Sequence, residues 1–395
     1  MSLTNSQSRS ALPTVMVCIK HYWPGVRAGG PVQTLLNLTS RLHSRINFLV
    51  FTTNSDLGSE TEYQGIAPDC WSQTENAQVF YAKRATLNIT KVQRVLKHNR
   101  YDVLYLNSFF EPYFGLLPLW LRRLNLIPRR HLVIAARGQF APSALSIKPL
   151  RKRACLWLTK LSGALKDVRW QASSQAEAEQ ITRAVGTQAE IIVAPNLARP
   201  QPSRISSGTA PREPGTLRVV AIGRISRMKN VTGMLEILRR VNSRINFTFF
   251  GPREDLAYWE ECSQLLKVLP ANITAAFETE IPSARVPEVL QRAELLLQPS
   301  LGENFGQSII EALMEGVPVL TSDRTPWNAL ESAGAGWSLP LENLDAFARV
   351  IDQVAAMSAD QHAALRRNAF AYGGAIAADP ALTEKNYELL ARVAA

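Results

Sequence analysis

No two cysteines in this chain stand at the spacing of a metal-binding pair. The four present, Cys18, Cys70, Cys155 and Cys262, are scattered without any CxxC, and the five histidines are equally dispersed. That leaves no zinc site of ordinary spacing, and thiols so placed read as reduced core residues of a cytosolic protein. Long apolar runs are missing as well. The greasiest stretch, Val103 to Leu121, is broken by Asn107, Glu111, Pro112 and Pro118, which excludes a spanning helix. Met1 to Pro13 is polar and has no apolar centre of the signal-peptide kind. The expectation is a soluble protein or one bound to a membrane surface. No period of roughly 20–50 residues recurs, which excludes a repeat architecture.

What is present is a chain of 395 residues, long enough for two α/β domains with separate cores. Its 46% hydrophobic content excludes wholesale disorder. The net charge of +11 is unevenly placed: residues 1–200 hold 25 Lys and Arg against 11 Asp and Glu, residues 201–395 only 19 against 22. Such asymmetry points to a polyanionic partner for the first half, whether anionic lipid, lipid diphosphate or nucleic acid.

Short apolar runs bounded by turn residues predict strands at Val15–Ile19, Phe48–Thr53, Ala77–Tyr81, Val103–Leu106, Leu132–Ala136 and Ile191–Asn196. A second series follows at Leu217–Ile222, Asn246–Phe250, Ile273–Phe277, Leu295–Gln298 and Val317–Leu320. Helical stretches alternate with them, so each half reads as a doubly wound parallel sheet. Residues 200–216 hold four prolines and no apolar period, and are expected to link domains at 1–199 and 217–380.

The stretch that organises the second half runs from Pro299 to Thr321. The strand ending at Gln298 leads into a loop with Gly302, Glu303, Asn304, Phe305 and Gly306. A helix with Ile309, Ile310, Leu313 and Met314 on its apolar side follows, closed by Gly316. Strand, loop and helix in this order place free backbone N–H groups at a sheet edge, where an anion can bind. Glu303 and Glu311 flank the helix start. They read as a loop charge and a solvated helix charge, or as acceptors for sugar hydroxyls; the apolar neighbours of Glu311 favour the second. Further upstream, Gly223-Arg-Ile-Ser-Arg-Met-Lys-Asn230 follows its strand directly, so Arg224 and Lys229 could converge on a diphosphate from one loop. Taken alone, those eight residues serve equally as a solvated basic turn. Gly29-Gly30 heads the first helix, where it lets backbone approach a ligand closely or, equally on its own, makes a plain tight turn.

The E-x7-E pair, Gly302-Glu-Asn-Phe-Gly306 and the downstream Gly-Val-Pro-Val resemble the retaining glycosyltransferases of family 4, over nearly the whole chain after about residue 13. The resemblance implies a GT-B fold, two Rossmann-like domains facing each other across a cleft, with a last helix (381–395) crossing back to the first domain. It implies a UDP- or GDP-sugar donor and a saccharide or polyprenyl-diphosphate-linked acceptor of surface polysaccharide or lipopolysaccharide assembly. It assigns the donor diphosphate to Gly223, Arg224 and Lys229, the transferred sugar to Gly302–Gly306 with Glu303 at its hydroxyls, and the ribose to Glu311. Gly29 and Gly30 would border the donor phosphates. No metal or other cofactor is implied, Arg, Lys and a helix dipole replacing Mg²⁺.

One departure stands out. Many relatives place a His where this chain has Ala136-Arg137-Gly138. Arg137 cannot serve as a base, and is either an acceptor-side group or part of a structural salt bridge. Thr325-Pro326-Trp327 lies at another strand end, Trp327 reading as core. The run Lys148, Arg151, Lys152, Arg153, with Leu116 to Leu121 beside Arg122, suits a membrane face; the apolar part suits a core helix equally. Two alternatives share parts of this pattern. A nucleotide-sugar 2-epimerase of the same fold lacks the E-x7-E frame. A basic nucleic-acid-binding protein is suggested by charge alone, with no helix-turn-helix, RRM or zinc signature.

Overall fold

The computed structural model describes residues 12–25, 27, 29–146, 148–205, 215–279 and 281–391. They fall into two units. The first takes the chain up to residue 22, residues 38–194 and the chain from 383; the second takes residues 23–37 and 195–382. Much of 200–216, the expected linker, lies outside the described residues (206–214). Its described start belongs to the second unit, where Gln201 donates to the Phe370 carbonyl at 2.7 Å.

The first unit holds β1 (Thr14–Cys18), β2 (Asn47–Thr53), β3 (Trp71–Gln73), β4 (Gln78–Ala82), β5 (Val103–Leu106), β6 (His131–Ala135), β7 (Val168–Ala172) and β8 (Glu190–Val193). They form one sheet in the order β3-β4-β2-β1-β5-β6-β7-β8, in which only β3 is antiparallel. The last helix, Pro380–Ala391, brings Glu384 to Arg45 in two hydrogen bonds of 2.8 and 3.2 Å. Asn386 accepts from Gln171 beside it.

The second unit holds β9 (Thr216–Ile222), β10 (Arg244–Phe250), β11 (Ile273–Glu278), β12 (Leu295–Gln298), β13 (Val319–Ser322) and β14 (Gly336–Leu339), wholly parallel in the order β11-β10-β9-β12-β13-β14. Both faces are covered, which is why Leu295-Leu-Leu297 reads as an unbroken apolar run. Leu295 and Leu297 point to one core with Val219, Phe247 and Phe347. Leu296 points to the other with Val220, Ile309 and Leu313. The helix Gln307–Met314 lies against the helix Ala359–Ala378 at Gly373, where any Cβ would sit 2.7 Å from the backbone carbon of Leu313. Each sheet thus has the doubly wound order, reversing direction between β1 and β5 in one unit and between β9 and β12 in the other. Ligands of such sheets bind outside the carboxyl ends of the strands at that reversal.

Three strands escaped the sequence reading. β3 and β14 are short edge strands, and in β7 the polar Arg169 and Gln171 interrupt the apolar signal. The cysteines need a correction too. Cys18 and Cys262 are core thiols as expected, but Cys70 is exposed and Cys155 half-buried.

Candidate functional site

At the reversal point of the second unit, two loops meet. The first leaves β9 through Gly223, whose φ of +156° disfavours a side chain, and a Cβ there would press on the Lys229 stem, 2.9 Å from its Cε. The loop makes one 3-10 turn, Arg227–Lys229, then reaches Asn230 in the left-handed region (φ +53°). Asn tolerates that conformation better than most residues. The second loop leaves β12 at Pro299 and ends at Gly306, φ +81°. Backbone and side chain pin the two together. Leu301 N donates to the Met228 carbonyl at 2.9 Å, and Asn230 Nδ2 to the Pro299 carbonyl at 3.0 Å.

This pinning sets Lys229 against Glu303, with Nζ and Oε1 2.5 Å apart and both side chains mostly buried. Ser300, fully buried, donates to the same carboxylate oxygen at 2.8 Å. Behind them Trp327 is core, as its sequence position suggested. It also donates its indole N–H to the Phe305 carbonyl at 2.5 Å, fixing the loop just before Gly306. No side chain caps the helix Gln307–Met314; the Ile309 and Ile310 N–H groups return to the Gly306 carbonyl, and those of Gln307 and Ser308 stand at the helix start beside this cluster.

One turn into that helix, Glu311 is buried and accepts from Gln307 Nε2 at 3.0 Å. Burial pushes its carboxyl up to about 7, against the opposing pull of the Gln307 amide and the nearby Arg199 guanidinium. The solvated-charge reading of Glu311 is therefore excluded.

The cations behave differently from the sequence expectation. Arg224 does not converge with Lys229: it is half exposed and donates to Glu254 at 2.7 Å. Gly302 sits over Met228, whose sulfur would be 3.7 Å from a Cβ there. Gly29 (φ +60°) and Gly30 begin the helix Gly30–Leu42, and a Cβ on either would meet open space. Asn304 lies in the loop between Glu303 and Phe305 and is half-buried.

In the first unit, Arg137 also takes a left-handed φ, +51°, two residues past the end of β6. Its guanidinium donates to Asn107 Oδ1 at 2.7 Å and to Tyr105 Oη at 2.8 Å, and Tyr105 in turn bonds Gln171. The next residue, Gly138, donates its N–H to buried Glu177 at 2.6 Å. Both of these Arg137 partners, Asn107 and Tyr105, are neutral hydrogen-bond acceptors.

Reading the sequence alone missed Ser300, Asn230, Glu254 and Arg199. Asn230 left a faint signal, a residue suited to left-handed backbone just before a helix. The other three are identified only by what the fold brings beside them.

Residues 209–371 match the family model described as Glycosyl transferases group 1. Among curated proteins none matches at a significant level. Solved structures align along nearly the whole chain. Sucrose-phosphate synthase from Thermosynechococcus elongatus aligns with a TM-score of 0.67 at 15% identity, covering 96% of this chain and 98% of its own. HepE from Anabaena, solved in complex with UDP-glucose, gives 0.66 at 17%, covering 96% and 100%. WaaG, described as a glycosyltransferase involved in lipopolysaccharide biosynthesis, gives 0.63 at 16%, covering 95% and 99%. At such identities the likeness establishes the fold: two Rossmann-like units of the GT-B kind.

Proposed function

We propose that this chain is a retaining glycosyltransferase of the family 4 type. It moves a sugar from a UDP- or GDP-sugar to a saccharide or polyprenyl-diphosphate-linked saccharide in surface polysaccharide assembly, on the cytoplasmic side. The observation that carries the reading is the Lys229–Glu303 pair held beside an uncapped helix start at the reversal point of the second sheet. The match to group 1 glycosyl transferases covers these residues, and a neighbour of the same fold is solved with UDP-glucose, both of which support it.

The donor diphosphate lies on the first turn of Gln307–Met314, where backbone N–H groups and Lys229 Nζ neutralise it without a metal ion. Arg224 turns from Glu254 toward the outer phosphate. Glu303 and the backbone of Gly302–Gly306 hold hydroxyls of the transferred sugar, and Glu311 accepts the ribose hydroxyls. In the chemical step the bond from the anomeric carbon to the phosphate oxygen breaks. A bond from the acceptor oxygen forms on the same face, and the acceptor proton passes to the departing phosphate. Charge grows on that phosphate, so the cations act most strongly in the transition state. A transfer assay with UDP- and GDP-sugars, its product read by the NMR coupling of the anomeric proton, tests this. Retention of the donor's configuration is expected; inversion, or release of an epimerised nucleotide sugar without acceptor, refutes it.

Glu311 adds a pH signature. Burial makes it a weaker acid in the folded state, its pKa raised from the usual 4.5 to about 7. A group shifted up in the folded state costs no stability below about 4.5 and destabilises progressively as pH rises through 7. A nucleotide whose ribose hydroxyls donate to the carboxylate favours its ionised form. A UDP-sugar, whose diphosphate has no terminal group titrating near this pH, should therefore expel a proton on binding at pH 6, seen in calorimetry as an enthalpy that depends on the buffer's ionisation heat. Above pH 8 the dependence should vanish, and Glu311→Gln should lack it at every pH. Equal enthalpies in all buffers at pH 6 would remove Glu311 from the ribose.

A further inference from the structure

The helix Pro149–Leu161 carries on its outer side a stripe of large apolar side chains that water should not tolerate on a freely tumbling protein. Leu150 is 81% exposed, Trp157 61%, Leu158 49% and Leu161 70%, with exposed Ala154 among them. At about 100° per residue these five fall within an arc of roughly 100°. The opposite arc holds buried Thr159 and half-buried Leu156, so the helix is seated by one face and bare on the other.

Cations border the stripe on both margins. Arg151 projects next to Leu158 on one side, Arg153 and Lys160 lie along the other, and all three are exposed. The helix contains no acidic residue, and among the described residues none of these three cations is paired with a carboxylate. The stripe continues past the helix end. Arg123 Nε donates to the Ser162 carbonyl at 2.6 Å, bringing up the turn in which Leu124 and Leu126 are 60% and 43% exposed.

We propose that this face docks the first unit on an anionic lipid bilayer, the apolar stripe entering the interface and Arg151, Arg153 and Lys160 meeting the head groups. An apolar band with basic margins and no acid is the pattern of a helix lying in the plane of a membrane. A protein partner would need acidic groups around an apolar groove; the bilayer supplies both features on one plane. Of the stretches noted in the sequence, the apolar one takes its core reading, and one cation of the basic run departs from expectation. Leu119 and Leu121 are buried, so the stretch beside Arg122 is core. Lys152 folds inward, donating to the Ala144 carbonyl at 2.6 Å, and burial together with Lys148 lowers its basicity. The proposal stands independently of the donor-site reading, because these residues all lie in the first unit.

The test is co-sedimentation of the full chain with phosphatidylcholine vesicles, with and without phosphatidylglycerol. Binding should appear with the anionic lipid and fall as salt rises. Trp157→Ser with Leu161→Ser should weaken partitioning at least about tenfold. Replacing Arg151, Arg153 and Lys160 together by Gln should weaken it by a similar factor or more and flatten its salt dependence, while Lys152→Gln changes little. Melting curves of each variant confirm that it folds. A parent chain that stays in the supernatant, or apolar variants that sediment like the parent, overturns the proposal. So does light scattering that shows a dimer dispersed by the apolar substitutions, since a second copy would then be the occupant.

Discussion

Lys229→Ala should lose about 10²-fold or more in kcat while the donor KM moves much less. The reason is the timing of charge. Lys229 Nζ is mostly buried and fixed by Glu303, and Gly223 leaves room for its stem, so the cation is in place before the reaction begins. A preorganised cation facing a departing phosphate stabilises the transition state more than the bound donor, and removing one such group typically costs about 10²–10³ in rate. Arg224→Ala should have the smaller effect of the two, because Arg224 is half exposed and starts out engaged with Glu254. Glu303→Gln tells the pair apart from a merely structural one. It keeps a polar partner near Lys229 but loses the charged acceptor for sugar hydroxyls, so kcat falls while UDP affinity, which does not involve the sugar, stays close to parental. If Lys229→Ala raises only the donor KM and leaves kcat intact, Lys229 binds donor and transition state equally and has no catalytic part.

Glu311→Ala should weaken UDP about 30- to 150-fold, the equivalent of about 2–3 kcal/mol. Two ribose hydroxyls that lose a charged acceptor in a buried site have no water to turn to, which makes the loss larger than that of an exposed hydrogen bond. The fold should survive, since a carboxyl whose ionisation is resisted by burial contributes little stability at neutral pH. Calorimetry gives the dissociation constant, and a melting curve of the variant controls for folding. An unchanged constant in a folded variant would end the assignment.

The frame of both units was legible because buried parallel strands announce themselves as short apolar runs, and the runs at Val103–Leu106 and Leu295–Gln298 became strands with those bounds. The same logic failed at β7, where Gln171 sits inside the core and bonds Tyr105 and the Ala194 carbonyl, so an interior strand looks polar in sequence. Within the site, most of what one contiguous stretch carries was visible: the glycines, Glu303, and Glu311 one turn into its helix, though not the small Ser300 that bonds Glu303. Pairings across the fold were not. Arg224 and Lys229 look equivalent in sequence, yet a partner 30 residues on draws Arg224 outward, while another 74 residues on draws Lys229 inward. A similar limit applies to the basic run at Lys148–Arg153, where helical phase decides which charge faces solvent and which, like Lys152, turns to a backbone carbonyl.

A crystal structure of the chain with a bound UDP-sugar tests the donor assignment most directly. The diphosphate should lie on the first turn of Gln307–Met314 within hydrogen-bonding distance of Lys229 Nζ, the ribose hydroxyls on Glu311, and the sugar against Gly302–Gly306. A nucleotide held elsewhere, with the Lys229–Glu303 pair and the helix start untouched, would contradict it.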